Sequence, residues 1–189
     1  MTTLDNGIVI DESLNAVNQT RQDLAFATWG FDGKKHGCTV HHWGAFGQDI
    51  HTVARYLASN NDRGNSATFV LQEDYVYCLV NSWDSSWHSG HPQGNAQTIG
   101  IECRPEMTKG DLETLASLLR FLESQFGDLV IYLHKNWVPT ECPGLYEAEL
   151  ENIVKEVNGV EVWHVAGLPQ PVPQAELDEM PEHHCCCHD

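Results

Sequence analysis

The strongest constraint on the fold of this 189-residue chain is an alternation of short apolar runs with amphipathic segments between residues 37 and 157. The runs "GCTVHHW" (37–43), "QTIGIEC" (97–103) and "DLVIYL" (128–133) are apolar, β-branched and short, as buried strands are. Between the first two lies "QDIHTVARYLASNN", where Ile50, Val53, Ala54 and Leu57 recur at helical spacing. "ATFVLQEDYVYCLV" (67–80) breaks at Gln72-Glu73-Asp74 and reads as two hairpin strands. The clearest helix is "TKGDLETLASLLRFLESQFG", with Leu112, Leu115, Leu119, Leu122 and Phe126 on one face and Gly127 as its stop. Strands separated by helices predict an α/β fold: one domain with a mixed central β-sheet flanked by helices.

Weaker signals complete the plan. "SLNAVNQTRQDLAFATW" (13–29) is expected to form a first helix, 82–97 a loop rich in Trp, His, Ser and Gly, and "YEAELENIVKEV" (146–157) a last helix before Asn158-Gly159. After Gly167 the chain turns acidic and proline-rich, so residues 1–167 are expected to form the domain and 168–189 a tail or linker.

Charge narrows the partners. With 27 acidic against 10 basic residues the net charge is −17, the wrong sign for nucleic acid, whose phosphates need Lys and Arg. Five of the acids and none of the bases lie in 168–189, so the body itself is acidic. No apolar run reaches membrane-spanning length, and no export signal opens the sequence, so synthesis in the cytoplasm is expected. Cys38, Cys78 and Cys103 sit in strand-like runs as small hydrophobes, which points to a reducing compartment. A monomer is the expected state.

Candidate chemistry lies at strand ends. His41 and His42 are adjacent on a strand, so only one of them faces a given site. His134 follows "DLVIYL" directly, and Cys142 lies eight residues further on. Two imidazoles and a thiolate suit Zn²⁺ and leave a fourth tetrahedral position for water, as a catalytic site requires. Spacing alone favours the plainer reading of a core thiol and two polar strand-end histidines. Glu102 lies between Ile101 and Cys103, on the strand face of Gly100.

The segments "CTVHHWG", "SSWHSG", "QTIGIEC" and "LHKNWVPTECPG", in that order, resemble the four signature segments of zinc-dependent N-acetylmuramoyl-L-alanine amidases. Phage lysozyme-type amidases, bacterial recycling amidases and animal peptidoglycan recognition proteins share that fold. The resemblance runs from about residue 36 to 157. It implies one zinc ion held by His41, His134 and Cys142, with Glu102 as catalytic base. It also implies hydrolysis of the amide between N-acetylmuramic acid and L-alanine in peptidoglycan or muropeptides. His88 matches a position used near the substrate or as an accessory polar group, and Trp43, Trp83 and Trp87 are candidates to stack on sugar or peptide. Asn95 and Arg104 are candidate substrate contacts.

Two positions depart from some phage members: Thr140 stands where they have a catalytic Lys, and Ala67 where they have a Tyr. Thr140 offers a hydroxyl in place of the amine. The expected role is a phage endolysin reaching the wall through a membrane pore; the alternatives are a cytosolic recycling amidase and a non-catalytic peptidoglycan-binding module. "HHCCCH" (183–188) places its ligands too close together to wrap one tetrahedral ion, and is read as a scavenger of soft metals or a source of adventitious disulfides.

Overall fold

The structure, a computed structural model, describes residues 2–150 and 152. Its centre is a six-stranded sheet. In chain order the strands are β1 (Ile10–Asp11), β3 (Gly37–His42), β4 (Phe69–Gln72), β5 (Tyr75–Cys78), β7 (Thr98–Cys103) and β8 (Val130–Leu133), in the spatial order β1-β5-β4-β7-β3-β8. β4, β7, β3 and β8 run parallel, and β5 turns back antiparallel to β4 through residues 73–74. The mixed sheet and the hairpin follow the sequence pattern. β2 (Gln19–Thr20) and β6 (Ser85–Ser86) pair separately.

Alternation along the strands sorts side chains to the two faces. Cys38, Val40, Ile99, Ile101 and Ile131 pack with Leu115, Leu118, Leu119 and Leu122 of helix α4 (Lys109–Phe126). Thr108 caps α4 by accepting from the Asp111 backbone, and Gly127 closes it with a φ of 76°. The opposite face carries helix α2 (Ile50–Ala58), whose Ile50, Val53, Ala54 and Leu57 meet Val70, Tyr77 and Leu79. Asp49 caps α2 by accepting from Thr52 N. Cys38 and Cys103 are fully buried, and burial raises both thiols above their ordinary range, as inert core sulfurs require.

Two expectations need correction. The helix expected over 13–29 is only α1 (Ala25–Trp29), preceded by a 3-10 turn at Gln22–Leu24 and by β2. Thr20 is drawn into pairing with Ser85, and tertiary pairing overrides a weak helical pattern there. The expected loop over 82–97 contains β6 and helix α3 (Pro92–Gln97), with Pro92 in its first turn. Of the last helix, residues 146–150 are helical, and its remainder, the boundary at 167 and the tail with its His/Cys cluster lie outside the described residues. Among the described residues, no helix is long and apolar enough to cross a membrane.

Candidate metal centre

Parallel strands bring their carboxyl ends to one edge, where open α/β sheets place ligands. There β3 ends in His41-His42, β7 in Glu102-Cys103, and β8 runs into a 3-10 turn, His134–Asn136. The Cys142 backbone carbonyl accepts from Lys135 N, and Cys142 N donates to Thr140 Oγ1 at 3.2 Å, so the loop folds back over the turn.

The result is a cluster of three donors. One ligand atom each from His41, His134 and Cys142 lies within 4.8 Å of the others. His41 Nδ1 is 3.9 Å from Cys142 Sγ, and the His41 and His134 rings are 4.3 Å apart. The backbone N–H of His42 donates to Cys142 Sγ at 3.4 Å, a contact that favours a thiolate. His41 is the member of the histidine pair that joins the cluster; the His42 ring stays half-buried and accepts from Gly44 N.

Protonation suits a metal. Burial lowers the pKa of His41 well below the ordinary range, with the neighbouring His134 next in effect. Burial lowers His134 to about 4. Both rings are therefore neutral near pH 7, as metal ligation requires. His134 Nε2 lies 3.2 Å from the Ser89 carbonyl. A carbonyl only accepts, so Nε2 carries the proton and the Nδ1 lone pair is left for the cluster. The donor set fits a zinc-type ion.

Glu102 pairs with His41 in the β3–β7 register, so both side chains leave the same face of adjacent strands. Its Oε2 is buried without a hydrogen-bond partner among the described residues, and burial raises the carboxyl to about 8. A carboxyl poised near neutrality beside a ligand cluster has the profile of a general acid–base.

The remaining candidates divide. His88 lies beneath His41, with Nδ1 2.9 Å from His41 Nε2, and rests on Gly100, where a Cβ would come within 2.5 Å of its ring. It is buried, and burial lowers it to about 3. Its contacts make it a support for His41. Asn95, expected at the substrate, is buried on α3, and its Oδ1 accepts from His88 N, Ser89 N and Ser89 Oγ. It braces the turn whose His88 ring and Ser89 carbonyl meet His41 and His134.

The tryptophans and Arg104 are occupied elsewhere. Trp87 donates from Nε1 to Thr20 Oγ1 and packs edge-on against Trp29, while Trp43 packs against the α2 cluster. Trp83 lies against Phe126 at 4.4 Å. Arg104 binds Asp111, Glu73 and Thr108 at the start of α4. Ser89, Thr98 and Trp137 took no part in the sequence argument. Their only signal was a place within the signature segments, Ser89 in "SSWHSG", Thr98 in "QTIGIEC" and Trp137 in "LHKNWVPTECPG".

Sheet and cluster together present a candidate metal site at the carboxyl edge of a parallel sheet. Residues 32–145 match the family described as N-acetylmuramoyl-L-alanine amidase, and the chain belongs to that family. Solved structures share the fold. The catalytic domain of XlyA is 21% identical with a TM-score of 0.64, covering 80% of this chain and 100% of that one. A mutant endolysin from Bacillus subtilis is 22% identical with a TM-score of 0.63, covering 80% and 99%. The N-acetylmuramoyl-L-alanine amidase LysC from Clostridium intestinale URNW is 20% identical with a TM-score of 0.57, covering 82% and 98%. No curated protein matches the chain.

Proposed function

We propose that this amidase is zinc-dependent, hydrolyses the bond between the lactyl carbonyl of N-acetylmuramic acid and the L-alanine nitrogen of the stem peptide, and serves as a phage endolysin. The observation that carries the reading is the convergence of His41, His134 and Cys142 within 4.8 Å. Zinc held by these three residues supplies Lewis-acid polarisation of the scissile carbonyl and of water.

Glu102 handles the protons. Its carboxylate takes the proton of the attacking water and delivers it to the alanine nitrogen as the C–N bond breaks, leaving a lactyl carboxylate and a free amine. A carboxyl held near 8 by burial gives up its proton readily to a nitrogen leaving as an amine. A cationic neighbour favours its ionised form at the start of the cycle. Thr140 acts through the loop: its hydroxyl accepts from Cys142 N and fixes the approach of the sulfur.

The likeness in fold to proteins named as endolysins supports the lytic role. The net charge of −17 favours a second reading, a cytoplasmic amidase for soluble wall fragments, because an acidic surface is repelled by an anionic wall. The test is to incubate the zinc-loaded protein with intact sacculi and with soluble muropeptides, following newly exposed alanine amino groups. Release from both supports the endolysin; release from soluble fragments alone replaces it with the recycling enzyme. Undiminished hydrolysis by Cys142→Ala removes the metal mechanism.

A further inference from the structure

A chain of hydrogen bonds leads from the protein interior to His41, and every member has only one consistent donor direction. At one end the Trp137 indole, which can only donate, gives Nε1–H to Thr39 Oγ1 at 2.9 Å. The Thr39 hydroxyl lies 2.8 Å from Thr98 Oγ1, and Thr98 Oγ1 lies 2.7 Å from the Gly94 carbonyl. That carbonyl only accepts, so the single Thr98 proton goes to it. Thr98 Oγ1 is then left with two acceptor positions. One takes the Thr39 hydroxyl proton, and the other faces His88 Nε2 at 3.3 Å.

The direction passes through His88. Its Nε2 meets an acceptor and carries the ring proton, so its Nδ1 is a lone pair. That lone pair lies 2.9 Å from His41 Nε2, which must donate. His41 Nδ1, 3.9 Å from Cys142 Sγ, is thereby left as a lone pair. Thr39, Thr98 and His88 are all buried, so water does not compete for these positions.

We infer that Thr98 is a positioning residue that sets the tautomer of His41 through His88, and so presents His41 Nδ1 to the metal. The inference rests on the zinc-site reading above and adds to it a residue that touches neither metal nor substrate. In the Thr98→Val protein His88 loses the hydroxyl acceptor and keeps only the backbone carbonyls of Gly94 and Thr98 near its ring, so the hold on its Nε2 proton weakens, and a proton moved to Nδ1 opposes the His41 Nε2–H. Thr98→Ser restores the hydroxyl.

The experiment has two parts on the full chain. ¹⁵N–¹H correlation of the histidine rings in metal-free protein is expected to show Nε2–H on both His88 and His41 in the wild type and in Thr98→Ser, and a changed or mixed pattern in Thr98→Val. Zinc affinity, by chelator competition, is expected to fall about 10–100-fold in Thr98→Val, as for other outer partners of metal ligands, and to recover in Thr98→Ser. Wild-type tautomers or wild-type affinity in a folded Thr98→Val protein overturns the inference. A wild-type protein that binds no zinc overturns the site reading instead, so the two failures are distinguishable.

Discussion

Glu102 stands directly across from His41 in the register of β3 and β7, and its Oε2 is buried with no hydrogen-bond partner among the described residues. Burial of an unpaired carboxyl oxygen costs folding free energy and is retained where chemistry uses it. Glu102→Gln keeps the shape and removes the proton-carrying group. Hydrolysis is expected to fall about 10²–10⁴-fold with zinc content unchanged. A pH test is independent of activity. The folded carboxyl holds its proton to about 8, whereas the unfolded one releases it near its ordinary 4.5. Between those values the native carboxyl binds more proton than the unfolded one, so the Glu102 contribution to the stability of the metal-free protein falls as pH rises. Denaturant midpoints are expected to show Glu102→Gln gaining on wild type from pH 4.5 to 8.

The buried histidines titrate with the opposite sign. His134 and His88 are lowered to about 4 and about 3, and His41 is lowered as well, all mainly by burial. The unfolded chain takes up these protons near 6.5, before the native state does. The contribution of these histidines to the stability of the metal-free protein is therefore expected to drop as pH falls from 6.5 toward 3, opposing that of Glu102 between 4.5 and 6.5, with no pH dependence from them above 6.5. Urea unfolding at pH 7, 5.5 and 4.5 checks this, and His134→Asn is expected to flatten the slope.

Gly100 is the floor under His88. A Cβ there would meet His88 Cγ at 2.5 Å, so the ring or strand must move. Gly100→Ala is expected to cost about 1–3 kcal/mol in a denaturant titration, as overpacking does. It is also expected to weaken zinc binding, because His88 carries the orientation of His41. Unchanged affinity would separate His88 from the metal site.

Asn95 Oδ1 accepts from His88 N and Ser89 N and shares the Ser89 hydroxyl proton with the His91 carbonyl. Asn95→Leu leaves the buried backbone donors of His88 and Ser89 unpaired, while Ser89 Oγ keeps the His91 carbonyl, and is expected to destabilise the fold by about 1–3 kcal/mol or more. Asn95→Asp retains the acceptor and is expected to recover most of the loss. Thermal unfolding of the two variants distinguishes an acceptor role from simple packing.

Periodic elements were legible in the sequence, and close contacts were not. The spacing of Ile50, Val53, Ala54 and Leu57, and of Leu115, Leu119 and Leu122, marks α2 and α4 because each helix buries a continuous stripe. The hairpin break at 73–74 is visible because two apolar runs flank it. α3 was missed because six residues including Pro92, Gly94 and Asn95 carry no periodic signal. The span 13–29 misled because Thr20 answers to Ser85, 65 residues away, rather than to its neighbours. The candidate ligand set of His41, His134 and Cys142 was suggested by residue type and by the order of the signature segments. The roles of Thr98, Ser89 and Asn95 depend on hydrogen bonds between segments, for which a sequence has no spacing rule.

The central claim is that His41, His134 and Cys142 hold one zinc ion that hydrolysis needs. It is tested most directly by measuring zinc content and alanine-amine release from peptidoglycan side by side, in the wild-type protein and in His41→Ala. About one zinc per chain with active release in the wild type, and loss of both in the variant, is the predicted result. A His41→Ala protein that releases alanine amines at the wild-type rate, with or without metal, would contradict it.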